Sequence, residues 1–518
     1  MVGTTVALGV TVGTLAAFTL AALWYSRTRI GSVEDFITAR NSAGRGMTTA
    51  TLVASVMGVW IFLSPAEAGA AFGGIAAVAG YAVGEAIPML VYARIGPRIR
   101  ELIPEGHSLT EYVLARYGPS MYVFVLLVSL FYMFIFLAAE LTGITSALQL
   151  IASVPRWQTA TLVGGFVLVY TGYGGLRASI FTDTLQVLLI LPLLVASAVG
   201  AIVALGGTAT IHSRVVAADP TLLDPTFFQG LRFGFWVAIA ILGAEMINQT
   251  WWQRIYAARD EATLRHGFRT AALVNILLVF LAGLFGVIAR GYVDIVTDPA
   301  SEAYNASIAF FVLLTEAFPE WVALAVVLLA LLLVMSTADT LFNAMASIVT
   351  ADLPRILETP SDRTLTMAAR LLTVAVALAA ILVSLRARSV LRLFLLADLF
   401  GAAVMVPVLS GLYSERVSGI GVLGSSLAGL AVGLAYFPSD VVRSALAAVP
   451  GLGAVLPAPD FLYAFVGAAV VSTVFTLVTA GRGERRFDHD RLAREITELD
   501  DPASADRTAT DGGAEGPE

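Results

Sequence analysis

The chain has 518 residues, 58% hydrophobic and 13% charged, with a formal net charge of -7. Soluble proteins carry about 25% charged residues, so an ordinary water-soluble enzyme is excluded. With no Cys and no Lys in the sequence, thiolate chemistry, a Walker-A phosphate loop and a lysine Schiff base are excluded too.

Apolar runs of about 20 residues, enough to cross roughly 30 Å of hydrocarbon, recur along the chain. A β-barrel would instead show ~10-residue alternating segments. The reading is an all-α polytopic membrane protein with thirteen transmembrane helices. In order they fall near 3–25, 47–72, 74–97, 119–149, 157–175, 182–206, 230–252, 267–291, 320–350, 364–385, 389–413, 418–437 and 460–480. The first lacks a basic n-region and a small-residue cleavage site, so a retained helix is expected rather than a signal peptide. Residues 1–46 thus form an extra N-terminal helix and inner loop, 47–413 a core, and 414–481 two C-terminal helices. The stretch 482–518, with 11 acidic and 6 basic residues, reads as a disordered cytoplasmic tail.

The arginines set the orientation. With the N-terminus outside, 22 of the 31 fall in inner loops or at the start of the tail and eight in outer loops. The inner set includes Arg177 and Arg254, and the outer cluster Arg386, Arg388 and Arg392 runs against the bias. A plasma-membrane protein with its C-terminus inside is expected. Trp24, Tyr25, Trp157, Trp251 and Trp252 read as interfacial anchors. The four histidines lie outside the apolar runs, which argues against haem or zinc within the membrane.

Two spans look broken. The second carries Gly58 and Pro65, which weaken a helix. The seventh carries Gly243, Glu245 and Asn248 near mid-membrane. They stand five spans apart, so spans 2–6 and 7–11 read as two five-helix repeats of opposite orientation, and paired interruptions of this kind mark a transporter's binding site. Substrate contact is therefore expected from Ser55, Gly58 and Trp60, from Glu245 and Asn248, and from Glu85 on the third span.

The ninth span ends in Ser336-Thr337-Ala-Asp339-Thr340. Its adjacent hydroxyls can share one wedge of a helix, and carbonyls freed by the break in span 2 can face them. Together they offer the oxygens a Na⁺ ion needs, although intramembrane Ser and Thr also bond back to their own helix. Buried acids in a bilayer are costly and functional by default. They include Glu67, Glu85, Glu140, Asp183, Glu245, Asp339 and Asp398; Glu67, Glu140 and Asp183 also fit a plain helix-end position.

Five stretches in order carry a resemblance: Val33–Asn41, His107–Gly118, Tyr173–Gln186, Trp252–Arg259 and Ser336–Thr340. With them the chain resembles the sodium:solute symporter superfamily, over about residues 34–480. The resemblance implies a LeuT-type core of 5+5 inverted repeats with Na⁺ as coupling ion. It assigns the ion to the carbonyls of Ala54, Met57 and Leu333 with the hydroxyls of Ser336 and Thr337, and cation coupling to Asp183. Asp339 is the other acid placed to couple a cation, H⁺ included. Where some members carry an Asp or another polar residue, this chain has Val56. The expected function is Na⁺-driven import of a small organic solute, an amino acid such as proline first, with urea, proton coupling and, remotely, a channel as alternatives. No organic cofactor, nucleic acid or protein partner is expected beyond the solute and the lipid bilayer.

Overall fold

In hydrocarbon a backbone must satisfy its own polar groups, which leaves an apolar chain the helix. The computed structural model describes residues 2–27, 37–293, 305–356, 362–451, 453, 455–482 and 486–496, and among them it is helical apart from one isolated β-bridge. In chain order the helices are α1 Thr4–Ser26, α2 Arg45–Val56, α3 Ser64–Ala71, α4 Gly74–Leu102, α5 Leu109–Tyr117, α6 Pro119–Ala152 and α7 Arg156–Ala204. There follow α8 Gly207–Ala218, α9 Phe228–Met246, α10 Gln249–Ala257, α11 Glu261–Ala289, α12 Ala309–Ala317 and α13 Glu320–Ile356. The last six are α14 Asp362–Ser384, α15 Val390–Ser410, α16 Gly419–Tyr436, α17 Asp440–Ala447, α18 Phe461–Arg482 and α19 Asp490–Glu495.

Both expected breaks are present. α2 and the segment Val59–Ala71 bend by 55°, and α9 and α10 by 60°. Nine described helices are long and apolar enough to cross a membrane, or eleven spans if each bent pair is one. The two remaining expected segments, 157–175 and 364–385, fall on the first half of α7 and on α14.

Three expectations are corrected. Residues 176–181 are helical rather than a loop: the break between the two spans within α7 falls at Gly175, whose φ of 54° and ψ of -166° suit a residue without Cβ. Trp251 and Trp252 are not interfacial anchors but buried, and Arg254 is not in a loop but buried within α10. Trp24 and Trp157, by contrast, are exposed. Finally, part of the tail is ordered. In α19 and just after it, Leu492 and Ile496 are buried, and His489 Nε2 lies 2.8 Å from the carbonyl of Gly411. The rest of the tail, 497–518, lies outside the described residues, as do residues 28–36.

The segment that carries Arg386, Arg388 and Arg392 is tied to neighbouring helices. Arg156 donates to the carbonyls of Ser384 (2.6 Å) and Ala387 (3.2 Å), closing the exposed end of α14. Ser389 donates to Glu67 (2.9 Å), with the charge of Arg392 nearby. Asp260 caps α11 by accepting from Thr263 N–H (2.7 Å), which draws its carboxyl down to about 2. The carbonyl of His107 takes a hydrogen bond from Gln249 (2.9 Å), whose own side-chain oxygen accepts from Leu109 N–H (2.9 Å). That pins α10 to the start of the His107–Gly118 stretch, just ahead of α5.

Candidate functional site: a carboxylate-lined cavity beside a hydroxyl cluster

The break after α2 redirects specific hydrogen bonds. In a continuous helix Gly58 and Ile61 would donate to Ala54 and Met57. Here Gly58 N–H donates to Val56 (3.1 Å) and Ile61 N–H to Gly58 (3.3 Å). The carbonyls of Ala54 and Met57 thus lose their helical donors. On α13 the hydroxyl of Thr337 is buried and has no hydrogen-bond partner among the described residues, and its neighbour Ser336 donates to Asp183 (2.6 Å). Freed carbonyls and an orphaned hydroxyl are the neutral hard oxygens that suit Na⁺.

Asp183 is wholly buried in α7 rather than at a helix end. Besides Ser336 it accepts from Thr51 (2.6 Å), and Arg254 Nη2 stands 3.6 Å away. The same Arg254 nitrogen donates to Thr340 (2.7 Å), which is 3.4 Å from Ser55. Asp339 accepts from Ser179 (2.8 Å) and Thr182 (3.4 Å). Two buried carboxylates, Asp183 and Asp339, thus share this cluster with the buried guanidinium of Arg254. Ser55 belongs to it rather than to the cavity described next.

That cavity lies between the two breaks. Trp60, Tyr81, Tyr132, Phe136 and Phe394 form aromatic walls, and Glu85, Glu245 and Asp398 supply three carboxylates. Glu245 is held by Tyr132 O–H (2.6 Å), Asn248 Nδ2 (3.1 Å) and Trp251 Nε1. Asn248 also caps α10 by accepting from Thr250 N–H (3.0 Å). Carbonyls at this break also accept from side chains: Tyr92 donates to Glu245 O (3.0 Å) and Met246 O (3.2 Å), and Ser129 to Ile247 O (3.2 Å). Glu85 and Asp398, both more than nine-tenths buried, make no hydrogen bond or ion pair among the described residues. No Arg or His lines the cavity.

Of the expected substrate contacts, Trp60, Glu85 and Glu245 line the cavity, Asn248 supports Glu245, and Gly58 backs onto Glu140. That last acid sits in the middle of α6, not at its end, with its carboxylate on the amides of Val59 (2.8 Å) and Trp60 (3.4 Å). Asp398 was visible in sequence as an acid within an apolar run but had no assigned place. Tyr132 and Phe394 gave no signal, since aromatics are common in any span.

The family model described as Sodium:solute symporter family matches residues 36–433. The "Spermidine transporter DUR31" of Candida albicans (strain SC5314 / ATCC MYA-2876) is 27% identical, covering 95% of this chain and 92% of its own. The "Osmoregulated proline transporter OpuE" of Bacillus subtilis (strain 168) is 24% identical, covering 87% and 91%. Among solved structures, a Na⁺-coupled sialic acid symporter in a substrate-bound outward-open state superposes with a TM-score of 0.71 at 18% identity, covering 93% of this chain and 98% of that one.

Proposed function

This chain belongs to the sodium:solute symporter family, and from that premise we propose that it imports an aliphatic polyamine, a linear solute with two or more ammonium groups, on an inward Na⁺ gradient. It is a transporter rather than an enzyme, with the LeuT-type fold. The observation that carries the substrate is the cavity: three carboxylates, two of them without a partner, and no cationic side chain among the lining residues. An uncompensated carboxylate in the bilayer interior is costly, and an ammonium group neutralises it. The aromatic walls add cation–π attraction, about 0.5–2 kcal/mol per contact. The relative named as a spermidine transporter supports this reading.

Proline, the solute expected from sequence and the one in the name of the Bacillus relative, would bring a carboxylate against three others, and like charges in one site repel strongly. Urea would leave the carboxylates uncompensated. On this reading Na⁺ is held by the carbonyls of Ala54, Met57 and Leu333 and the hydroxyls of Ser336 and Thr337. Ser336 then links the ion to Asp183. The protein would sit in the plasma membrane with its N-terminus outside.

The test is competition against uptake of radiolabelled spermidine by proteoliposomes. Putrescine and unlabelled spermidine should compete, and proline, urea and glucose should not. Glu85→Gln and Asp398→Asn should each weaken the apparent affinity for spermidine about tenfold, equal to about 1.4 kcal/mol. Competition by proline with none by putrescine would overturn the reading.

A further inference from the structure

Glu140 is a buried carboxylate with no part in the cavity lining or the Na⁺ oxygens described above. Its α6 position is fully buried, and its partners among the described residues are two backbone amides, those of Val59 and Trp60. These amides open the 3-10 turn Val59–Phe62 that leads into α3, the outer half of the broken span. A half-helix start carries partial positive charge and unsatisfied N–H groups, and in transporters with broken helices it is where a substrate's anionic group docks. Here a side chain already fills that place. Gly58 supports the arrangement, since a Cβ built on it would collide with the Glu140 carboxylate. Trp60, whose amide Glu140 holds, is a wall of the solute cavity.

We infer that Glu140 is a specificity-determining residue: a resident anion that occupies the docking point for a substrate carboxylate and so restricts the transporter to amines without one. The inference rests on the polyamine reading for its substrates, but the role of Glu140 is separable from it. With Glu140 in place, a zwitterionic or carboxylate-bearing amine meets a filled half-helix start and three cavity carboxylates. Removing the side chain exposes two aimed amides in a buried, acid-sized gap.

Putrescine and ornithine differ by one carboxylate and share the same two ammonium groups, so they isolate the effect. In the wild-type protein putrescine should compete with labelled spermidine at least tenfold better than ornithine. Glu140→Ala should shrink that ratio at least tenfold. Glu140→Gln, which keeps the volume and an acceptor oxygen, should preserve it. As a measurement independent of transport, millimolar formate should raise the melting temperature of purified Glu140→Ala in detergent and leave wild type and Glu140→Gln unmoved. Equal competition by ornithine and putrescine in the wild type would overturn the inference even if the alanine variant did not fold. So would an unchanged ratio in a folded Glu140→Ala, or the absence of any formate effect on it. If neither amine bound the wild type but formate still stabilised Glu140→Ala, the polyamine reading would fall while the anion at the half-helix start stood.

Discussion

Thr337 and Arg254 show how single residues divide into those a sequence reveals and those it hides. Adjacent hydroxyls in an apolar run, with an acid two residues beyond Thr337, single out Ser336 and Thr337 from composition alone. The structure separates their roles: Ser336 is committed to Asp183, and Thr337 keeps an unpartnered oxygen. Thr337→Ala should therefore raise the Na⁺ concentration for half-maximal uptake roughly tenfold, about 1.4 kcal/mol, with normal membrane levels. Ser336→Ala should do so as well and in addition loosen Asp183. Unchanged Na⁺ dependence in both would remove the ion from this place. Arg254 was hidden because Trp-Trp-Gln-Arg at the end of a span looks like an interface. Its burial beside Asp183 at 3.6 Å makes it a counter-ion instead. Breaking a buried pair costs about 3–5 kcal/mol through the charge left behind. Arg254→Met should lower stability by that order in denaturant titrations of the purified protein. The double variant with Asp183→Asn should recover much of the loss, and simple additivity of the two would show that they do not interact.

At the level of elements, the two breaks were legible because Gly, Pro and polar residues interrupt otherwise apolar runs at matching places in the two halves. What the interruptions do to individual hydrogen bonds was not. Side chains from distant helices complete the breaks: Glu140 from α6 at the first, Tyr92 from α4 and Ser129 from α6 at the second. No local pattern encodes such long-range partners. The reverse holds in α7, where residues 176–181, with Arg177 and Ser179, read as a loop and Asp183 as a helix end. In the fold these polar residues belong to a helix whose inner face carries Ser179, Thr182 and Asp183 into the ion cluster. The kink at Gly175 keeps both halves of α7 in place. Gly175→Ala should cost about 1–3 kcal/mol because that backbone conformation suits only glycine, seen as a lower melting temperature. An unchanged melting temperature would mean that the helix straightens without penalty.

For the molecule as a whole, composition fixes the class, and hydropathy places nearly every span. The docking of the tail's first part was missed because its few apolar residues, Phe487, Leu492 and Ile496, are too sparse to show a pattern. Phe487 lies under the guanidinium of Arg116 at 4.3 Å. Deleting 498–518 should leave uptake per protein unchanged, whereas deleting 486–518 should lower the melting temperature by uncovering the C-terminal ends of α5 and α15. The absence of cysteine makes the proposed orientation directly testable, since a single introduced cysteine at Val449 should react with an impermeant thiol reagent from outside the cell. A polyamine and Na⁺ moving inward together carry several positive charges, each worth about 2.3 kcal/mol per 100 mV, so a potential negative inside should accelerate uptake.

The central claim is coupling of amine import to Na⁺, and the most direct measurement is spermidine accumulation by proteoliposomes at zero membrane potential under an imposed inward gradient of Na⁺, K⁺ or H⁺. The account expects transient accumulation above the external concentration with Na⁺ alone, abolished by a Na⁺ ionophore and strongly reduced in Thr337→Ala. Equal accumulation under the K⁺ gradient, or accumulation driven by H⁺ and indifferent to Na⁺, would contradict it.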